Sequence, residues 1–136
     1  MRVLIIDDEK AVADTLVMIL QRKGYDAAVA YSGPEALKKV ESFAPNCVIS
    51  DVIMPGINGI EVCAAIEKMH PECHMLLFAG QAFNHELVER MRVEGHAWEL
   101  LAKPLPPDKL LAKLASLDSS LKCAADSPAV KSLKAD

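Results

Sequence analysis

Apolar runs of strand length alternate with stretches of helical period along the whole chain. Val3-Leu4-Ile5-Ile6, Cys47-Val48-Ile49-Ser50, Met75-Leu76-Leu77-Phe78 and Leu100-Leu101-Ala102 are nearly unbroken apolar runs, and residues 26–31 form another, so five strands are expected. Val12, Leu16, Ile19 and Leu20 repeat at i, i+4, i+7 and i+8, predicting a first helix that Gly24 stops. Ser32-Gly33-Pro34-Glu35 has capping-box spacing with an early proline and opens a second helix, whose apolar face runs through Leu37 and Val40. A turn with Pro55, Gly56, Asn58 and Gly59 precedes a third helix marked by Val62, Ile66 and Met69 and closed by Pro71. Asn84 is a good N-cap for a fourth helix carrying Leu87, Val88 and Met91 and ending at Gly95. Pro106-Pro107-Asp108 opens a fifth, with Leu110, Leu114, Leu117 and Leu121 on one stripe.

Five strand–helix units in strict alternation predict an α/β, doubly wound parallel sheet covered on both faces, because right-handed crossovers leave few other ways to wind it. The chain has 136 residues, 51% of them hydrophobic, which suits one domain with a real core. From about Ala124 the pattern dissolves into Ala, Ser, Lys and Asp, so residues 1–121 are expected to form the domain and 122–136 a flexible tail.

Net charge is -4, with acids and bases mixed rather than blocked, so direct nucleic acid contact is not expected. The apolar stretch after Met1 is interrupted by Asp7-Asp8, and no run approaches the about 18 apolar residues of a membrane span, so a cytoplasmic protein is expected. Cys47, Cys63, Cys73 and Cys123 lack CxxC spacing and read as reduced thiols, mostly in the core. His70 and His74 have the spacing of two ligands on one helical face, but Pro71 between them breaks that helix, so both read as surface residues.

Four of the apolar runs end in chemistry. They lead into Asp7-Asp8-Glu9, into Asp51, into Ala79-Gly80 and into Lys103-Pro104. In an open parallel sheet the ligand site lies outside the carboxyl ends of the strands, so three carboxylates and one ammonium would meet at one edge. Taken singly, each has a plainer use: Asp8 as a helix cap, Asp51 as a turn former, Lys103 as a solvated charge. Their coincidence at one edge is not what capping and turn chemistry predict.

These residues, together with the turn Asp51-Val52-Ile53-Met54-Pro55-Gly56-Ile57-Asn58-Gly59, closely resemble a bacterial response-regulator receiver domain over about residues 1–121. The resemblance implies a flavodoxin-like (βα)5 fold with strand order 2-1-3-4-5. It implies a magnesium ion held directly by Asp8 and Asp51, with Asp7 acting through water and the backbone carbonyl of Ile53 completing the protein's ligands. Asp51 would be the phosphoacceptor, supplied by a sensor histidine kinase or phosphotransfer protein, and Lys103 would contact the phosphoryl group. Hard cations prefer such oxygen donors, and their entry relieves repulsion among clustered carboxylates.

The sequence departs from the family where phosphorylation is coupled to conformational change. Receivers carry Ser or Thr at the end of the fourth strand, and Ala79 stands there; the aromatic switch position holds Leu100. A missing hydroxyl removes one charge-assisted contact, about 1.5–3 kcal/mol. Ile53 and Gln81 occupy the positions that tune attack of water on the acyl phosphate, and an apolar Ile53 predicts slow self-dephosphorylation.

The leading reading is a stand-alone switch, not an enzyme. It would act through an unknown downstream protein contacted by the fourth helix, fifth strand and fifth helix, and would be a monomer or weak homodimer. Phe83, Trp98 and Leu100 serve either that surface or the core. The alternative is a non-switching receiver-like adaptor that does not depend on phosphorylation, which Ala79 and Leu100 favour. An aspartyl phosphatase would need Asp-x-Asp after the first strand, and a flavin binder a Ser/Thr/Gly-rich loop there, where this chain has Asp7-Asp8-Glu9-Lys10.

Overall fold

The computed structural model describes residues 1–52, 56, 58–79, 89, 93, 95, 98–102 and 106–126; the side chains at 79, 102 and 118–126 fall outside that description. The described elements are β1 (Arg2–Ile6), α1 (Lys10–Arg22), β2 (Asp26–Ala30), α2 (Gly33–Phe43), β3 (Cys47–Asp51), α3 (Gly59–Met69), β4 (His74–Ala79), β5 (Glu99–Ala102) and α4 (Pro107–Asp126). Here α4 is the fifth helix of the sequence reading. The helix expected from Asn84 to Gly95 lies almost wholly outside the described residues, although Glu89 and Val93 are helical.

Residues gather into two compact units, Met1–Pro104 and Leu105–Asp136. The first contains the whole sheet, five parallel strands in the order β2-β1-β3-β4-β5. Its strands are apolar on both faces, as a sheet covered on both sides requires. Leu4, Ile6, Val48, Met75 and Leu77 join Ala36 and Val40 of α2 and Val62, Cys63 and Ile66 of α3 in one buried cluster. Val3, Ile5, Ile49 and Leu76 alternate with them along the strands and are equally buried, so they serve the opposite face. Each fully buried aliphatic side chain of this kind is worth about 1.5–3 kcal/mol of transfer free energy.

Local sequence sets the helix starts. Ser32 caps α2 by accepting the Glu35 N–H at 3.2 Å, and Glu35 reaches back to the Tyr31 N–H at 3.2 Å. Asn58 and Glu61 form a reciprocal capping box on α3. Gly24 follows the end of α1 at φ 91, a conformation that L side chains resist.

Three expectations change. The core stripe of α1 is rotated: Ala13 and Leu20 are buried while Val12 is 39% exposed, because a small residue lets the helix approach the sheet where a branched one would hold it off. Met69 ends α3 but is 43% exposed, and Ile60 and Cys63 complete the buried face in its place. In the second unit α4 runs to Asp126, through residues expected to be flexible. Leu121-Lys122-Cys123-Ala124-Ala125 contains no helix breaker, and the first proline beyond it is Pro128. Leu110 and Leu114 are buried, as their stripe predicts. No described helix is long and apolar enough to cross a membrane.

Cys47, Cys63 and Cys73 are buried free thiols. Burial raises all three above their ordinary pKa of 9.0, Cys73 to about 12. A group that titrates higher when folded contributes its stability below the unfolded pKa and loses it as pH rises through the folded one. Stability is therefore expected to fall above pH 9, by up to about 1.4 kcal/mol per pH unit for each thiol. Urea midpoints between pH 8 and pH 10 measure this, and Cys47→Ala should flatten the decline.

Candidate functional site

Two acidic segments leave the sheet side by side. Ile6 of β1 pairs with Ser50 of β3, so Asp7 emerges next to Asp51. The junction of β1 and β3 is where strand order reverses, which opens a crevice between the connections running to opposite faces. Carboxylate oxygens of Asp7, Asp8 and Asp51, one from each, lie within 4.8 Å of one another. Asp7 is 2% exposed, Asp51 is half-buried and Asp8 is exposed, so the cluster grades from core to solvent.

Backbone contacts fix this cluster. The Asp7 N–H donates to the Ala30 carbonyl at 3.1 Å, extending the ladder of β1 with β2 by one residue. One Asp7 oxygen accepts the Glu9 N–H at 3.0 Å. Capping does not explain Asp8, because the N-cap of α1 is Glu9 and no side chain caps that helix. The Ser50 hydroxyl donates to the Asp51 carbonyl at 3.0 Å, and the Val52 N–H donates to the Phe78 carbonyl at 2.9 Å. Three close carboxylates with no nitrogen or sulfur among them form a donor set that suits a hard divalent cation.

Gly59 is a positioning residue that sequence reasoning assigned only to a turn. Its N–H donates to the Val52 carbonyl at 2.8 Å, and a Cβ at this position would stand 2.0 Å from the Asp51 carbonyl oxygen. Only glycine lets α3 begin so close to the end of β3. The spacing Asp51 to Gly59 carries no signal of this approach, because a glycine at a helix start is equally explained by the turn.

A second group flanks the acidic cluster. The Lys10 ammonium lies 5.2 Å from the centroid of the Tyr31 ring, and the Tyr31 hydroxyl donates to Asp14 at 2.5 Å. That hydrogen bond is the chief cause that raises the Tyr31 phenol above its ordinary pKa. Lys10 and Asp14 are one turn apart on α1, so together they grip Tyr31 against that helix.

The remaining predicted positions are placed less fully. Ala79 ends β4 and pairs with Ala102, which puts the segment before Lys103 at the same sheet edge. Ile53, Gln81, Phe83 and Lys103 lie outside the described residues. Leu100 pairs with Leu77 and packs against the core, as does Trp98, whose indole N–H donates to Glu67 at 3.0 Å.

Replacing Gly59 with alanine should lower the unfolding free energy by about 2 kcal/mol or more, because the new methyl meets backbone rather than a mobile side chain. Urea denaturation measures the loss; an unchanged midpoint would mean that α3 can draw back from Asp51 at little cost.

Comparison with known proteins agrees with this geometry. A family model for the response regulator receiver domain matches residues 3–115. The chain is 30% identical over 130 residues to the alkaline phosphatase synthesis transcriptional regulatory protein PhoP of Bacillus subtilis, covering 96% of this chain and 53% of that protein. It is 32% identical over 117 residues to response regulator MprA of Mycobacterium avium, covering 86% and 50%. The chain thus spans about half the length of the curated relatives it matches. Among solved structures, a CheY-like response regulator receiver domain protein from Methanospirillum hungatei superposes with a TM-score of 0.79 at 30% identity, covering 89% of this chain and 96% of that one.

Proposed function

The chain belongs to the response regulator receiver domain family of two-component signal transduction, and from that premise we propose that Asp51 accepts a phosphoryl group. The observation that supports this most directly is the gathering of the Asp7, Asp8 and Asp51 carboxylates at the β1–β3 edge. On this reading an Asp51 oxygen attacks phosphorus on a phosphohistidine of a sensor kinase or phosphotransfer protein. A P–O bond forms and the P–N bond breaks, the imidazole nitrogen keeps the electron pair and then takes a proton, and Asp51 is left as an acyl phosphate.

Asp7, Asp8, Asp51 and the Ile53 carbonyl would hold magnesium, which when bound offsets charge on the transferring oxygens. The burial of Asp7 and its bond to the Glu9 N–H would hold its carboxylate in one orientation. Lys103, which follows β5 at the same edge, would contact the phosphoryl group. Residues 1–121 would form the receiver, with the remainder an appendage. The downstream partner would be a protein; the match covers 49% of a relative named as a DNA-binding response regulator, so nucleic acid contact would belong to an output segment outside these residues. The chain would be a phosphoacceptor rather than an enzyme acting on a pool of substrate, in the cytoplasm, as a monomer or weak homodimer.

A second reading, an adaptor that does not switch, is favoured by Leu100, which is packed against the core at the position where receivers carry a mobile aromatic. Coupling would then run through fewer contacts, because Ala79 also supplies no hydroxyl.

Incubation with acetyl phosphate and magnesium should add the mass of one phosphoryl group to the intact chain, and Asp51→Asn should abolish the gain. Once the donor is removed the added mass should persist for minutes, since an apolar residue at position 53 would shield the phosphoryl group rather than orient water; absence of any gain would overturn the reading. Beryllofluoride with magnesium should shift the amide resonances of β4 and β5 less in this protein than in Ala79→Thr. Equal, large shifts in both would defeat the weakened coupling.

A further inference from the structure

Lys10 is two residues from Asp8, in the first turn of a helix that starts at the acidic edge. Three carboxylates within 4.8 Å of one another form a strong sink for a nearby ammonium. Lys10 nevertheless makes no ion pair with Asp8 among the described residues, and its ammonium sits over the Tyr31 ring. The residue is held at its hydroxyl and at its main chain. Its hydroxyl donates to Asp14, and the Tyr31 backbone N–H donates to Glu35, which also belongs to the capping of α2.

We propose that Tyr31 is a positioning residue that holds the Lys10 ammonium away from the Asp7–Asp8–Asp51 cluster, so that the cluster's affinity for a divalent cation depends on a ring whose own carboxylate partner, Asp14, lies outside the cluster. This rests on the metal-binding reading above and adds a determinant that the carboxylates themselves do not contain.

The physical argument is a competition. An ammonium free to reach the exposed Asp8 would neutralise part of the charge that draws the cation, and the cation would have to displace it. A cation–π contact at an exposed site is comparable in strength to a surface ion pair, so the ring can tip the balance without forming a rigid lock. Asp14 has two parts here: it fixes the phenol, and it offers a carboxylate one helical turn from Lys10 on the side away from Asp8. The backbone bond to Glu35 fixes the main chain from which the ring projects, whether or not the hydroxyl is present.

Magnesium affinity measured by calorimetry on the full chain tests this in a double-mutant cycle. Tyr31→Leu should weaken binding by about two- to fivefold, the scale of one exposed cation–π contact. Lys10→Met should bind at least as tightly as the parent, and the double variant should match Lys10→Met, because without the ammonium the ring has nothing to hold. Tyr31→Phe, which keeps the ring and loses only the hydroxyl, should lie between the parent and Tyr31→Leu. Unchanged binding in Tyr31→Leu, or the same weakening with and without Lys10, would overturn the proposal while leaving the metal site intact. No magnesium binding by the parent protein would instead overturn the metal-binding reading on which it rests.

Discussion

Mutual repulsion among Asp7, Asp8 and Asp51 is the constraint around which the rest of this structure is arranged. Carboxylates this close disfavour one another. The parallel ladder holds their backbones side by side. Asp7 is tied by its backbone to Ala30, and Asp51 is the last residue of a strand paired on its other side with β4. Moving either carboxylate away would break hydrogen bonds in a sheet whose strands are buried on both faces, so the cost of separation exceeds that of proximity. The arrangement is one that could hold a cation.

Parallel winding contributes to the same end. Every strand reaches the site edge with its carboxyl end, so α1, α2 and α3 start there, and the positive ends of α1 and α3 lie at the same edge as the carboxylates. Asn58 and Glu61 satisfy amide groups at the start of α3, and Gly59 brings that start against the Asp51 carbonyl. A bulkier residue would push the helix back and weaken both the packing and the electrostatic support. The geometry of Asp51 therefore depends on a residue with no side chain.

Strand positions, helix order and the meeting of the three aspartates were all legible in the sequence, because apolar runs bounded by acidic turns leave one consistent parallel arrangement. The rotation of α1 was not. Val12 and Ala13 are adjacent and both fit an apolar stripe, so the choice was decided by how closely the helix approaches the sheet, which periodicity does not encode. Gly59 was hidden for a similar reason, since its role depends on backbone separation across a turn. The grip of Lys10 and Asp14 on Tyr31 joins residues from two elements and has no local pattern at all. Trp98 offered a choice between interface and core, and its bond to Glu67 shows that its indole is engaged within the domain.

Charge balance gives Lys103 its weight in the proposed reading. Three carboxylates facing one divalent cation leave a single negative charge, and turning Asp51 into an acyl phosphate adds up to one more. A hydroxyl at position 79 would disperse part of that charge through a hydrogen bond, but alanine stands there. The excess would then fall on backbone amides and on nearby ammonium groups. Lys103 follows β5 in sequence, while Lys10 is engaged by Tyr31, so in the proposed reading the two lysines would divide the work: one would meet the phosphoryl group and the other would be kept from competing with the metal. A receiver that lacks the hydroxyl can still hold its phosphoryl group on these electrostatics, but it has one fewer means of turning that charge into movement.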